Sequence, residues 1–137
     1  MVLFNRFFEA DIDITFLKVL SNRDLSNSHE LLLRLRWLSL LSANLDSATL
    51  AVSGGVHSAE DAIKAIICGA SAVQMVSALL ENGVGYLSKV REELTDWLEH
   101  HEYESLHQMR GSVNLARTRS DYMRLLQSWE KLYLRRD

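Results

Sequence analysis

Residues 48–83 alternate short apolar runs with helical patterns, and this alternation restricts the fold more than any other feature of the sequence. Two buried strands are predicted, Ala48–Ser53 and Ser71–Val76. A helix, Ala59–Cys68, follows the first strand, and a second helical stretch starts at Ser77 after the other strand. Short apolar strands that alternate with helices indicate parallel βα units. The sequence therefore predicts an α/β fold with a parallel sheet.

The segments on either side extend this pattern. Val2–Phe8 predicts a further buried strand, Glu9–Asp13 an acidic turn, and Ile12–Leu20 an edge strand or one arm of a hairpin. Ser28 is a candidate N-cap for a helix from His29 to about Leu41. In the middle helix Ser58 and Asp61 resemble a capping box, and Gly69 is the expected C-terminal cap. Three more helices are expected, at Val84–His101, Glu102–Met109 and Ser120–Leu134.

Composition excludes several classes of protein. The 137 residues are 47% hydrophobic and 24% charged, which is typical of a globular domain and not of a disordered chain. The net charge of -3 argues against a uniformly basic nucleic-acid binder. No apolar run reaches the length of a membrane span, and residues 1–8 lack the pattern of a signal peptide. We therefore expect a cytoplasmic protein without membrane or nucleic-acid partners.

The strongest local signal is the pair Gly54-Gly55, at the point where a predicted strand ends and a helix follows shortly. Glycines allow close approach of a ligand to the backbone, and free N–H groups beside a helix start favour an anion. A second junction, Val73–Ala78, would lie at the same edge of a parallel sheet. The two junctions could share one phosphate, although a lone Gly-Gly is also consistent with a simple βα turn.

Several motifs carry a resemblance to a known family. SGGVHSAEDAIKAIICGASAVQMVSALLENG resembles the last two βα units of the dihydroorotate dehydrogenase family of FMN-dependent (β/α)8 barrels. VLFNRF, HEYESLHQMRGS and RSDYMRLLQSW are similar to segments of a dihydroorotate dehydrogenase-like branch of that family. The resemblance implies the C-terminal part of a TIM barrel, about strands 6–8, over residues 1–112. A C-terminal amphipathic helix extension would occupy residues 113–137.

The resemblance also implies site residues. Gly54, Gly55 and Ser77 match donors to the FMN phosphate, and Val76 stands where better-known members have Gly. Because a β-branched side chain restricts close approach, Val76 puts the phosphate affinity in question. Asn5 matches an asparagine that contacts the pyrimidine substrate, or else it is a turn residue. The catalytic base would lie in the first five barrel strands, which this sequence does not contain.

Two functions follow as hypotheses. The chain is either the C-terminal portion of an FMN-dependent oxidoreductase of pyrimidine metabolism, inactive alone, or a truncated, non-catalytic remnant that binds a phosphate or a protein. The edge of the first strand is expected to pair with a second copy of the chain or with a separate N-terminal half-barrel. If FMN binds, Gly55→Val is expected to lower the affinity for FMN, because the valine side chain would block the approach of the phosphate to the backbone.

Other candidates have simpler interpretations. Cys68 is expected to be a small core residue, and no metal site is predicted because the adjacent His100 and His101 point in different directions on a helix. His57 could face either a phosphate or solvent. The C-terminal arginines are interrupted by acidic residues and accompany an apolar stripe, which favours a docking helix over a nucleic-acid tail. The stripe comprises Tyr122, Leu125, Leu126, Trp129 and Tyr133.

Overall fold

The computed structural model describes residues 1–4, 10–21, 25–45 and 47–133, and it has mixed α/β architecture. The strands are β1 (Val2–Leu3), β2 (Ala10–Asp13), β3 (Lys18–Ser21), β4 (Ala51–Ser53) and β5 (Ala72–Gln74). The helices are α1 (Leu31–Asn44), α2 (Ala59–Ile67), α3 (Val76–Asn82), α4 (Tyr86–His100), α5 (Leu106–Met109) and α6 (Leu115–Tyr133). A 3-10 turn, Ser28–Glu30, precedes α1.

The central sheet is parallel, with strand order β1-β4-β5. Leu3 is paired with Val52, which in turn is paired with Val73 of β5. The connections through α1 and α2 follow from this order, because parallel neighbours require crossovers over the sheet. This confirms the predicted parallel βα units, and the arrangement is compatible with part of an α/β barrel.

Helix α2 begins and ends as the sequence predicts. The Ser58 hydroxyl accepts the N–H of Asp61, and Gly69 has a φ of +119° at the C-terminal end. Ala70 N–H then donates to the carbonyl of Ala65 at 3.0 Å. These bonds satisfy backbone groups that a helix end leaves unpaired.

The segment before α1 differs from the prediction in two places. The expected acidic turn is wrong, because Ala10–Asp13 is β2 and pairs with β3 as an antiparallel hairpin. The turn lies at residues 14–17, where the Asp13 carboxylate accepts the N–H groups of Thr15 and Phe16. Asn27, not Ser28, caps the turn before α1, and Glu30 completes the capping box. The Ser28 hydroxyl instead donates to Asp61 at 2.7 Å.

Other boundaries shift by a few residues. The strand regions β4 and β5 are shorter than predicted, and Val76 is the first residue of α3 and not the end of a strand. Helix α6 begins at Leu115, five residues before the expected start, and bends at Thr118. It packs against α1, which agrees with a docking helix. Among the described residues no helix is both long and apolar enough to cross a bilayer.

The core lies between the sheet and helices α1, α2 and α3. Its buried side chains include Leu3, Leu31, Leu38, Leu50, Val52 and Val56. A smaller cluster lies on the other side of α2, where Ile63, Ile66 and Met109 pack with Trp97 and Tyr103. The first cluster fixes the carboxyl ends of β4 and β5 relative to α1, and this end of the sheet carries the candidate site.

Candidate functional site

The two βα junctions lie side by side at the carboxyl edge of the sheet. Ser53, the last residue of β4, is in register with Gln74, the last residue of β5. Gly54-Gly55 follows the first strand, and Met75–Ser77 follows the second. Their backbone and side-chain donors therefore converge on one position, as the carboxyl ends of parallel strands do in α/β proteins.

Ser26 occupies the centre of this convergence. Its hydroxyl oxygen accepts the N–H of Gly55 at 3.2 Å and donates to the hydroxyl of Ser77 at 2.9 Å. The Ser26 N–H also donates to the Ser77 hydroxyl, at 3.2 Å. Ser26 is only 6% exposed. We call the Gly55 N–H with the hydroxyls of Ser26 and Ser77 the hydroxyl cradle.

His57 extends the hydroxyl cradle on one side. Its Nε2 atom lies 3.2 Å from the Ser26 hydroxyl oxygen, and its Nδ1 atom lies 3.5 Å from a carboxylate oxygen of Glu81. The backbone N–H of His57 donates to the buried Asp61 carboxylate at 3.0 Å. Because the ring has partners at both nitrogens, His57 faces the cradle and not bulk solvent.

Both glycines of the first junction are required by packing as well as by backbone conformation. Gly54 and Gly55 have φ values of +80° and +84°, which side chains rarely adopt. A Cβ on Gly54 would lie 2.8 Å from the Arg34 guanidinium, and one on Gly55 would lie 2.5 Å from the Leu31 backbone nitrogen. Helix α1 therefore fills the space on the Cβ side of both glycines, and the approach of a ligand to their N–H groups stays a prediction.

Arg34 places a buried positive charge behind Gly54. The residue is 7% exposed, and its guanidinium donates to the Glu30 carbonyl and lies 3.7 Å from the Glu30 carboxylate. Its Nε–H is buried without a hydrogen-bond partner. An incompletely paired buried cation next to the junction favours an anion there.

The remaining predicted site residues have different placements. Ser77 is the second residue of α3 and takes part in the hydroxyl cradle. Val76 is 64% exposed and lies at the rim of a pocket of about 190 Å³. This pocket is also lined by Ser26, Ser53, Gly54, Val56, Gln74 and Ser77. Asn5 lies outside the described residues.

Cys68 and the histidine pair have no part in this site. Cys68 is the C-cap of α2 and packs against the main core, where burial raises the pKa of its thiol to about 11. The His101 ring stacks on Trp97 with centroids 3.9 Å apart. Within the described part of the chain, no group of three His, Cys, Asp or Glu side chains is placed to hold a metal ion.

Part of the chain is similar in sequence to known proteins. Residues 35–98 match the family model described as dihydroorotate dehydrogenase. Two similar proteins are the dihydroorotate dehydrogenases (fumarate) of Saccharomyces cerevisiae, 37% identical over 62 residues, and Trypanosoma cruzi, 42% identical over 60 residues. The matched stretches cover 45% and 44% of this chain, but only 20% and 19% of those relatives. Residues 35–98 are therefore similar to dihydroorotate dehydrogenases.

The dihydroorotate dehydrogenase-like segment contains both junctions but not the whole site. Gly54, Gly55, His57 and Ser77 lie inside residues 35–98, whereas Ser26 and Arg34 precede the match. The sequence predicts a role for neither of these residues. Ser26 is one polar residue in a polar loop, and no pattern marks its contacts with residues 29 and 51 positions away. The one sequence signal for Arg34 is an arginine among the leucines of a predicted helix.

Proposed function

We propose that this chain forms the flavin-phosphate end of an FMN-dependent oxidoreductase related to dihydroorotate dehydrogenase, which acts in pyrimidine metabolism. The observation that carries the proposal is the hydroxyl cradle, because it joins two neighbouring junctions of a dihydroorotate dehydrogenase-like segment. The names of the similar proteins support the reaction class. In this proposal β1, β4 and β5 are about strands 6–8 of a TIM barrel.

The cradle fits a phosphate group. Ser26 Oγ marks a point where an oxygen atom accepts the Gly55 N–H and approaches the Ser77 hydroxyl. A phosphate oxygen in that place would accept the Gly55 N–H and the proton of the Ser77 hydroxyl, and such hydrogen bonds are stronger when the acceptor is charged. Ser26 would turn aside and donate its hydroxyl to a second phosphate oxygen. Arg34 would add favourable charge from behind Gly54.

The chemistry is divided between cofactor and protein. When bound, FMN supplies the acceptance of a hydride from C6 of a dihydropyrimidine. The residues of the cradle hold the phosphate and so set the position of the flavin ring. We assign the base that removes the C5 proton to a part of the relatives outside the matched segment, and Asn5 to substrate contact. Cys68 is not that base, because its thiol is neutral at physiological pH.

A barrel also requires more strands than the described residues supply. Within them no strand pairs with the outer edges of β1 and β5. We propose that a second copy of the chain or a separate N-terminal half-barrel pairs with one of these edges.

Flavin binding tests the proposal. The full chain is titrated against FMN and against riboflavin, which lacks the phosphate, with flavin fluorescence as the signal. We expect FMN to bind and riboflavin to bind at least about tenfold more weakly, because only FMN reaches the cradle. Ser77→Ala is expected to lower the affinity for FMN about tenfold or more, whereas Ser88→Ala, at an exposed residue, leaves this affinity unchanged. Equal affinity for both flavins would reject the phosphate site.

A second candidate is a non-catalytic phosphate-binding or protein-interaction module. The observation that favours it is the Ser26 hydroxyl, which already satisfies the Gly55 N–H within the chain. The absorption spectrum of the purified chain separates the two candidates. Flavin bands, or their appearance on adding FMN, support the oxidoreductase, and a colourless protein that FMN does not bind supports the module.

A further inference from the structure

His57 lies where its ring can reach the oxygen atom at the centre of the hydroxyl cradle. Its Nε2 atom is 3.2 Å from Ser26 Oγ, the atom that a phosphate oxygen would replace. We propose that His57 is a further phosphate ligand and that its protonation controls the affinity of the cradle for a dianion. This inference rests on the proposed function, since it concerns the same phosphate.

The Nε2 atom of His57 faces the hydroxyl cradle, and the position of Glu81 determines whether Nε2 is a hydrogen-bond donor or acceptor in the neutral ring. A carboxylate accepts only, so the Glu81 oxygen 3.5 Å from Nδ1 selects a proton on Nδ1. In the neutral ring Nε2 then carries a lone pair, which repels an anion and can accept the Ser26 proton only when the Ser26 hydroxyl turns away from Ser77. In the imidazolium form Nε2 carries a proton and donates to a phosphate oxygen in the same place.

Because of the charges around His57, the proton on Nε2 determines whether a dianion can bind. Glu81 of α3 faces the ring, and the Asp61 carboxylate of α2 accepts the His57 backbone N–H. On the α1 side, Arg34 is paired in part with Glu30. With a neutral ring, the carboxylates of Glu81 and Asp61 lie beside His57, whereas the guanidinium behind Gly54 is already paired with Glu30, and this balance disfavours a dianion. Protonation of His57 supplies the second positive charge.

Phosphate binding is therefore coupled to proton uptake. The affinity for a dianion is expected to fall as the pH rises, by up to tenfold per pH unit, because one proton binds with the anion. Inorganic phosphate itself changes charge near neutral pH, so inorganic sulfate, which remains a dianion throughout, is the informative probe.

The experiment is calorimetric titration of sulfate into the full chain from pH 5.5 to 8, in two buffers of different ionisation enthalpy. The wild type is expected to bind sulfate at least tenfold more tightly at pH 6 than at pH 8, with net uptake of protons at pH 7 to 8. His57→Gln is expected to bind at every pH as weakly as the wild type does at pH 8, without proton uptake. The exposed His107→Gln is the matched control and retains the wild-type profile.

The outcomes separate this inference from the proposed function. Sulfate binding that does not depend on pH, or His57→Gln that retains the pH profile, would overturn the role of His57 and leave the phosphate site intact. No binding of sulfate or FMN at any pH would overturn both. Circular dichroism of each variant verifies that the comparison is between folded proteins.

Discussion

A side chain at position 55 would be disfavoured both by the backbone conformation of Gly55 and by the lack of space beside it. We expect Gly55→Ala to lower the free energy of unfolding by about 2–5 kcal/mol. About 1–2 kcal/mol comes from its positive φ of +84° and about 1–3 kcal/mol from the clash with the Leu31 backbone. Gly83→Ala is the matched control, because Gly83 has a φ of +80° but open space around it. Urea unfolding measures both.

The difference between these variants isolates the packing contribution at Gly55. Equal losses of stability would show that α1 yields easily and that the space beside Gly55 is available. The same contact changes the meaning of Gly55→Val, since this variant would disrupt the packing of α1 before it could report on FMN. Substitutions of Ser77 and His57 are therefore cleaner tests of the site.

Cys68 is expected to be unreactive in the folded protein. Burial raises the pKa of its thiol from 9.0 to about 11, so the reactive thiolate is scarce at pH 8. Labelling with Ellman's reagent at pH 8 should be much slower in buffer than in denaturing urea. Because the folded-state pKa is raised, its contribution to stability is present below pH 9 and is lost as the pH rises from 9 to 11. Equally fast labelling in buffer and in urea would contradict the burial of this thiol.

Helix α1 places the buried charge of Arg34 beside the first junction. We expect this charge to have little effect on stability but a clear effect on anion binding. We expect Arg34→Met to change the free energy of unfolding by less than about 1 kcal/mol, because methionine fills similar space and removes the unpaired Nε–H. Sulfate affinity at pH 6 should nevertheless fall several-fold. The exposed Arg36→Met on the same helix is the control, measured by urea unfolding and calorimetry. Unchanged sulfate affinity in Arg34→Met would show that this guanidinium does not act on the anion.

The elements differ in how far the sequence determines them. Helix α2 is predictable because Ser58 and Gly69 are local signals that need no distant partner. A hairpin arm within Ile12–Leu20 was predicted, but the first strand was taken for a turn because Asp11 and Asp13 favour a turn by composition, whereas pairing with β3 makes them strand residues. The two junctions could be predicted from strand order, but Ser26 could not. Its position depends on tertiary contacts with Gly55 and Ser77, which no periodicity encodes.

On the scale of the whole molecule, the described residues leave both edges of the parallel sheet without a partner strand. We expect the purified chain to self-associate as its concentration rises, since an open edge presents unpaired N–H and C=O groups. Size-exclusion chromatography with light scattering over a hundredfold range of concentration measures this. A folded monomer at all concentrations would reject association through the sheet edges.

The hairpin β2–β3 offers a second surface for association. Its apolar side chains are exposed, with Phe16 at 69% and both Ile14 and Leu17 at 85%. Apolar groups that cluster on one element bind another surface more often than scattered ones do. We expect Phe16→Ser with Leu17→Asn to weaken association and keep the fold, because asparagine tolerates the φ of +50° at position 17. Val84→Ser, also at a highly exposed apolar residue but outside the hairpin, is the control. If the double variant associates as strongly as the wild type, the sheet edges alone drive assembly and the hairpin does not contribute to it.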